Sequence, residues 1–265
     1  MTLPYVTASP VPPFGVFGWG LIAATIAGVA AAWITGRRLA LATGELLGLA
    51  AVCGGAALIG AHAFDVLWYQ SDAAHDPGVW LRITDGVSLF GALLAGGIAA
   101  AVWMIARELD MAAYTDALAI GSLVALTIGR IGCALVHDHP GVPTTLPIGI
   151  DFPGNVRLHD LGFEELALLV PLTLVSVFLF GLRVQPGSVA AFSAIAYAGM
   201  RFGLDFLRSP TTEPTVLGLT AGQFGSIGLA LATIVALVLR ARRGPGRKGR
   251  RSTIRVRLPS DIRTR

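Results

Sequence analysis

The chain has 265 residues, 54% hydrophobic and only 14% charged, with a mean hydropathy of +0.69. Soluble domains carry nearer a quarter charged residues, so this balance excludes an ordinary water-soluble fold and indicates a polytopic membrane protein. The net charge of +4 is unevenly placed: residues 240–265 hold eleven of the twenty Lys and Arg residues against one acid, Asp261, and the remainder is net acidic.

Met1-Thr2-Leu3-Pro4-Tyr5 has no basic n-region and reads as a short polar arm, so the first apolar segment is expected to stay in the mature chain. About 20 apolar residues cross a bilayer core. Seven segments of that kind follow, at about 16–35, 46–69, 87–106, 117–136, 163–182, 189–207 and 220–239. The fifth contains Pro171, where a kink is expected. Cys53 and Cys133 lie in apolar segments without a CxxC or metal-like spacing and read as buried free thiols. Small residues such as Gly60, Gly91 and Gly228 recur inside the spans and read as helix-packing positions.

Basic residues orient the bundle. Arg37-Arg38, Arg183 and the Arg-rich end follow the first, fifth and seventh spans, on one side if the spans number seven. The positive-inside rule puts that side in the cytoplasm and the N-terminus outside. The acidic loop after the third span (Arg107, Glu108, Asp110, Asp116) runs against the trend. Loops 70–86, 137–162 and 208–219 are then external. The expected fold is all-α, a polytopic membrane bundle of about seven helices over 1–239, with a basic cytoplasmic tail over 240–265. That tail reads as disordered, its charges lying on anionic lipid rather than nucleic acid.

One apolar span carries an arginine, Arg130, between Gly129 and Gly132. A charge at the bilayer centre costs about 3 kcal/mol on insertion scales and marks a site by default. Two readings fit: an anion or headgroup site that the glycines let a ligand approach, or an ion pair with an acid on a neighbouring helix. In the sixth span Tyr197, Arg201, Asp205 and Arg208 fall at i, i+4, i+8 and i+11, on one helical face. Guanidinium planes match phosphate bidentately, so a phospholipid headgroup suits this set. A local Asp205 pair would neutralise one arginine and leave another cation to explain. His62 reads as a packed core residue, and Glu45 and Glu164 as solvated or helix-end charges. His137, His139 and His159 share a polar loop, yet no short ligand motif compels a metal, and neither metal nor cofactor is expected.

These stretches resemble the prolipoprotein diacylglyceryl transferase family. Gly129-Arg130-Ile131-Gly132 is similar to its Gly-Arg-x-Gly signature. The run from Tyr197 through Arg201-Phe202 and Asp205-Phe206 to Arg208 is similar to its Tyr-x-x-x-Arg-Phe-x-x-Glu-Phe-x-Arg helix. Gly218-Leu219-Thr220-Ala221-Gly222-Gln223 is similar to its Gly-Leu-Thr-x-Gly-Gln segment. Gly60-Ala61-His62 and Arg157-Leu158-His159 through Phe163-Glu164 resemble two further stretches, and all five keep the family's order.

The resemblance implies an inner-membrane enzyme that moves diacylglyceryl from phosphatidylglycerol to the lipobox cysteine of a preprolipoprotein, releasing glycerol phosphate. It implies Arg130 as the phosphatidylglycerol-binding arginine and Arg201, with Tyr197 beside it, as the catalytic face; by the charge and spacing read above, Gly129, Gly132 and Arg208 are expected to join the headgroup site. The chain departs from the pattern at Phe90, where the family has a histidine proposed as base, and at Cys133, where it has asparagine. His137 or His139 would then stand in as base, oriented by Asp138 or Asp160, with His139 the choice carried forward. The alternative is a non-catalytic phospholipid-binding homologue.

Overall fold

The computed structural model describes residues 3–6, 15–82, 86, 88–209 and 213–242. A two-residue strand, β1 (Leu3–Pro4), precedes helices α1 (Gly15–Arg38) and α2 (Thr43–Trp68). A short α3 (Pro77–Leu81) leads to α4 (Leu89–Ala106) and α5 (Met111–Val136). Three strands follow, β2 (Pro140–Pro143), β3 (Ile150–Phe152) and β4 (Val156–Asp160). Then come α6 (Leu161–Gly181), α7 (Ser188–Leu204), β5 (Thr215–Val216), β6 (Leu219–Thr220) and α8 (Ala221–Arg242). Among the described residues six helices are long and apolar enough to span a membrane. The seventh, α7, has 17 residues and continues as a 3-10 turn over Asp205–Leu207. That length lies at the short end of the spanning range of about 17–25 residues. Large apolar side chains such as Leu174, Phe178, Leu231 and Val235 face outward, as a lipid solvent requires.

Capping chemistry moves several boundaries beyond the apolar pattern. Asp110 accepts from the amides of Ala112 and Ala113, so α5 begins six residues before 117. Asp116 is therefore inside that helix, buried, accepting from the amides of Gly187 and Ala190 at the start of α7. Asp160 accepts from Phe163 N and starts α6 at Leu161. Thr220 and Gln223 form a reciprocal capping box at α8: Gln223 Oε1 accepts from Thr220 N, and Thr220 Oγ1 from Gln223 N, both at 3.1 Å. Pro171 sits within an unbroken α6. Arg240 and Arg242 complete the last turn of α8, so the helix outruns 239; the tail from 243 onward lies outside the described residues.

The segment 137–162, expected as an external loop, is not irregular. Its three strands and β1 form a sheet in the order β1-β3-β4-β2, with β1 parallel to β3 and the other pairs antiparallel. The N-terminal strand therefore lies at the same end of the bundle as this loop. Gly141 in β2 bridges to Arg208, which ties the sheet to the end of α7.

Inside the bundle α1 packs chiefly on α5, α2 on α4, and α5, α6 and α7 on one another. Small residues set the first of these contacts. A methyl on Gly28 would lie 2.8 Å from Ala125 Cβ and 2.9 Å from the Gly121 carbonyl oxygen; one on Gly121 would lie 2.7 Å from the Gly28 oxygen. Gly121→Leu is expected to push α1 off α5 and lower the thermal unfolding midpoint in detergent, since overpacking costs about 1–3 kcal/mol. Gly54→Ala, which meets open space, is the control. Equal midpoints for Gly121→Leu and the parent chain would contradict the packing.

Candidate functional site

The charges on α5 and α7 meet a carboxylate on α6 that the sequence reading passed over. Glu165 is fully buried. It accepts from Arg130 Nη2 at 2.9 Å, from Arg201 Nη1 at 2.8 Å, and from the Tyr197 hydroxyl at 3.2 Å. Three spans are thus joined through one side chain. The signal in the sequence was an acid inside an apolar span, which needs a partner as much as Arg130 does. Attention to Glu164, one residue earlier, hid it.

The network continues outward. Arg201 Nη2 pairs with Asp205 at 2.9 Å, and Asp205 also binds Arg208 Nε at 3.0 Å and accepts from the Thr220 hydroxyl. Arg208 Nη1 pairs with Glu213 at 2.9 Å, and Glu213 accepts from the Tyr69 hydroxyl at 2.9 Å. Gly222 leaves room for the Asp205 carboxylate, into which a methyl there would run. The Gly-Leu-Thr-Ala-Gly-Gln segment thus has a physical role: Thr220 donates to Asp205, Gly222 admits it, and Gln223 caps the helix that carries both.

Several sequence expectations change. The single helical face from Tyr197 to Arg208 stops at Leu204; after the 3-10 turn Arg208 is extended (φ −71°, ψ 145°) yet reaches the same Asp205. Arg130, Arg201 and Arg208 face Glu165, Asp205 and Glu213, so no cation in this set lacks an acid. The second reading of Arg130, an ion pair with an acid on a neighbouring helix, is therefore present in the structure. The acids are shared in sequence: Arg130 and Arg201 share Glu165, Arg201 and Arg208 share Asp205, and Arg208 also holds Glu213. Gly129 and Gly132 face α1, with their nearest neighbours on Ala24, Phe17 and Gly20 at 3.7–3.8 Å. Both positions lie on the side of α5 that packs against α1. Glu164 is buried rather than solvated, 2.6 Å from His159 Nδ1. Glu45 caps the other end by pairing with Arg107 at 2.6 Å. His62 is buried, its ring nitrogens on the carbonyls of Gly86 and Val79, as a core residue should be.

One donor of this network remains open among the described residues: Arg201 Nε is buried with no partner. A buried donor left unpaired costs about 1–3 kcal/mol, more when charged. Above the same guanidinium lies the Phe90 ring, its centroid 5.5 Å from Arg201 Cζ. Phe90 is thus a lid on the cation, in cation–π geometry.

The loop histidines separate. His137 pairs with Asp160 and contacts the Val6 carbonyl oxygen, and His159 pairs with Glu164. His139 instead stands with Asp138 and Cys133; one ligand atom from each lies within 4.8 Å of the others. Cys133 Sγ in turn accepts from Arg130 Nη1 at 3.6 Å. His139 thus sits beside the arginine network, and partial burial pushes its pKa below the ordinary imidazole value. Burial favours the uncharged ring, which keeps a lone pair near neutral pH.

Glu165→Ala is expected to destabilise the bundle by about 3–5 kcal/mol, because it leaves two buried guanidiniums uncompensated. Asp151→Ala, which loses the half-exposed pair with Arg157, should cost about 1 kcal/mol or less. Unfolding midpoints in one detergent compare the two; similar losses would remove Glu165 from its central position.

Comparison with known proteins meets this geometry from another direction. The sequence model of the prolipoprotein diacylglyceryl transferase family matches residues 7–239. A relative from Chromohalobacter salexigens is 30% identical, aligned over 88% of this chain and 91% of its own length. One from Mycobacteroides abscessus is 30% identical over 92% and 81%, and one from Leifsonia xyli 28% over 89% and 78%. All three are named phosphatidylglycerol–prolipoprotein diacylglyceryl transferase. With its motifs lodged in one buried network and the match running nearly end to end, the chain belongs to the prolipoprotein diacylglyceryl transferase family.

Proposed function

We propose that the protein transfers the diacylglyceryl group of phosphatidylglycerol to the thiol of a lipobox cysteine in a preprolipoprotein, as a multi-pass protein of the bacterial inner membrane. The observation that carries this reading is the open Nε of buried Arg201, which shares the Glu165 carboxylate with Arg130. That arrangement leaves one buried guanidinium donor open within the network, where a phosphodiester oxygen can be received.

The chemistry follows from charge. The acceptor thiolate attacks the glycerol carbon bonded to phosphate, the carbon–oxygen bond breaks, and its electrons leave on glycerol phosphate. Charge builds on the phosphate oxygens, so fixed guanidinium donors there lower the barrier. Arg130 and Arg201 act on that charge. Tyr197 holds Glu165, and Glu165 holds both arginines in register. Arg208 is set by Asp205 and Glu213 at the outer rim, toward the glycerol end. Gly129 and Gly132 contribute indirectly, by seating α5 against α1. Phe90 supplies no base, so His139 takes the thiol's proton. No nucleic acid enters this reading.

The test is transfer from phosphatidylglycerol to a lipobox peptide in proteoliposomes. Arg130→Ala and Arg201→Ala are expected to lower the rate by about 10²–10³, and Arg130→Lys to recover only part, since a point charge loses the bidentate contact. Absence of product from the parent chain, with phosphatidylglycerol still bound, would leave the non-catalytic lipid-binding alternative.

The basic residues Arg37, Arg38, Arg183, Arg240 and Arg242 put the ends of α1, α6 and α8 in the cytoplasm, with the sheet and the N-terminal strand outside. Reporter fusions after Arg38 and Arg242 should read cytoplasmic, and one at Gly154 external. A cytoplasmic signal at Gly154 would invert the orientation.

A further inference from the structure

The corner formed by Cys133, Asp138 and His139 is the one grouping of metal-ligating side chains among the described residues. Its members differ in exposure in a useful way. Cys133 is buried in the last turn of α5, fixed on one side by the backbone of Gly162. Asp138 and His139 have side chains about one-third exposed. One face of the trio is therefore closed by protein and the other is open. The Asp138 carbonyl oxygen lies 2.9 Å from His139 Nδ1 and can only accept, so Nδ1 carries the proton and Nε2 the lone pair. A backbone carbonyl fixing the tautomer in this way is the usual companion of a metal-binding imidazole. Arg130 Nη1 donates to the Cys133 sulfur at 3.6 Å, which fixes the sulfur's position.

We propose that Cys133, Asp138 and His139 bind a divalent zinc-type ion through one sulfur, one oxygen and one nitrogen. The fourth position takes the acceptor cysteine of the preprolipoprotein. Three protein ligands and an open place is the arrangement of reactive rather than structural zinc sites. Tetrahedral bonds of the usual lengths put a sulfur and an oxygen or nitrogen ligand about 3.6 Å apart. The trio's ligand atoms lie within 4.8 Å, and rotation of the two partly exposed side chains closes the difference.

A thiol that coordinates such an ion loses its proton outright. That supplies a nucleophile at a site whose family histidine position holds Phe90. The proton passes to water, the metal-held sulfur attacks the glycerol carbon, and the electrons of the broken carbon–oxygen bond leave on glycerol phosphate. The metal changes neither charge nor oxidation state. His139 is then a ligand, and the ion replaces it as the agent that generates the thiolate. The inference rests on the transferase reading for the identity of the thiol, but the metal site is testable apart from it.

The test uses the full-length protein in detergent, stripped with a chelator and titrated with Co²⁺, whose bond to a thiolate gives a near-ultraviolet charge-transfer band. The proposal expects one equivalent to bind with that band, Cys133→Ser and His139→Ala each to abolish it, and Cys53→Ser to keep it. His139→Ala lies in a loop, so loss of the band there cannot be ascribed to a collapsed helix core. A lipobox peptide should shift the band, and its Cys→Ser analogue should not. No band, a band that survives in Cys133→Ser, or one indifferent to the peptide overturns the site. Transfer assays separate the two readings. Unchanged turnover by metal-free protein overturns the metal role and leaves His139 as proton acceptor with the transferase reading intact. Cobalt and peptide binding without transfer by the zinc-loaded protein overturns the transferase reading and leaves a thiol-binding metal site.

Discussion

Everything at the polar centre of this bundle depends on one carboxylate. Glu165 is the sole acid touching both Arg130 and Arg201 among the described contacts, and it also receives the Tyr197 hydroxyl. In water such a group would be one ion pair among many. Inside a bundle, two guanidiniums on different helices without it would repel and seek water, and α5, α6 and α7 would part. The same bond that holds the helices also sets where donors point. Stability and chemistry are not separable at this residue. A substitution that frees the arginines for a ligand also removes the reason they stand together.

Much of the fold was legible because membranes simplify the code. Apolar runs of spanning length marked where the long helices lie, six of them meeting the length and hydropathy of a span and α7 falling just short. What was not legible was polar and short. Asp110 and Asp160 start helices by accepting amide protons, an effect of two or three residues that an apolar average does not register. The outer sheet joins residues more than a hundred positions apart, beyond any local pattern.

The site was half visible. Arg130, Tyr197, Arg201 and Arg208 were found because charge and spacing single them out, and the structure gathers them around shared acids. Glu165 was missed because two adjacent glutamates at a span's edge look alike in sequence. Their helical phase, 100° apart, sends one to His159 and the other to the arginines. The glycines around Arg130 were misread in direction. They open α5 toward α1, a distinction that only the orientation of the helix decides. The grouping of Cys133 with His139 depends on His137, whose left-handed conformation (φ 53°, ψ 41°) turns the chain back over the end of α5.

The first strand of the chain closes the sheet by pairing with residues near 150. Synthesis runs from the N-terminus, so β1 emerges long before its partner exists. Through the making of α1, α2, α4 and α5 it has no neighbour to bond. The roof above the arginine network is therefore finished only after four spans and the following hairpin have been laid down. Contacts of such long separation are slow to form. A newly made chain therefore passes through a stage in which α1, α2, α4 and α5 have been made while the sheet is still incomplete.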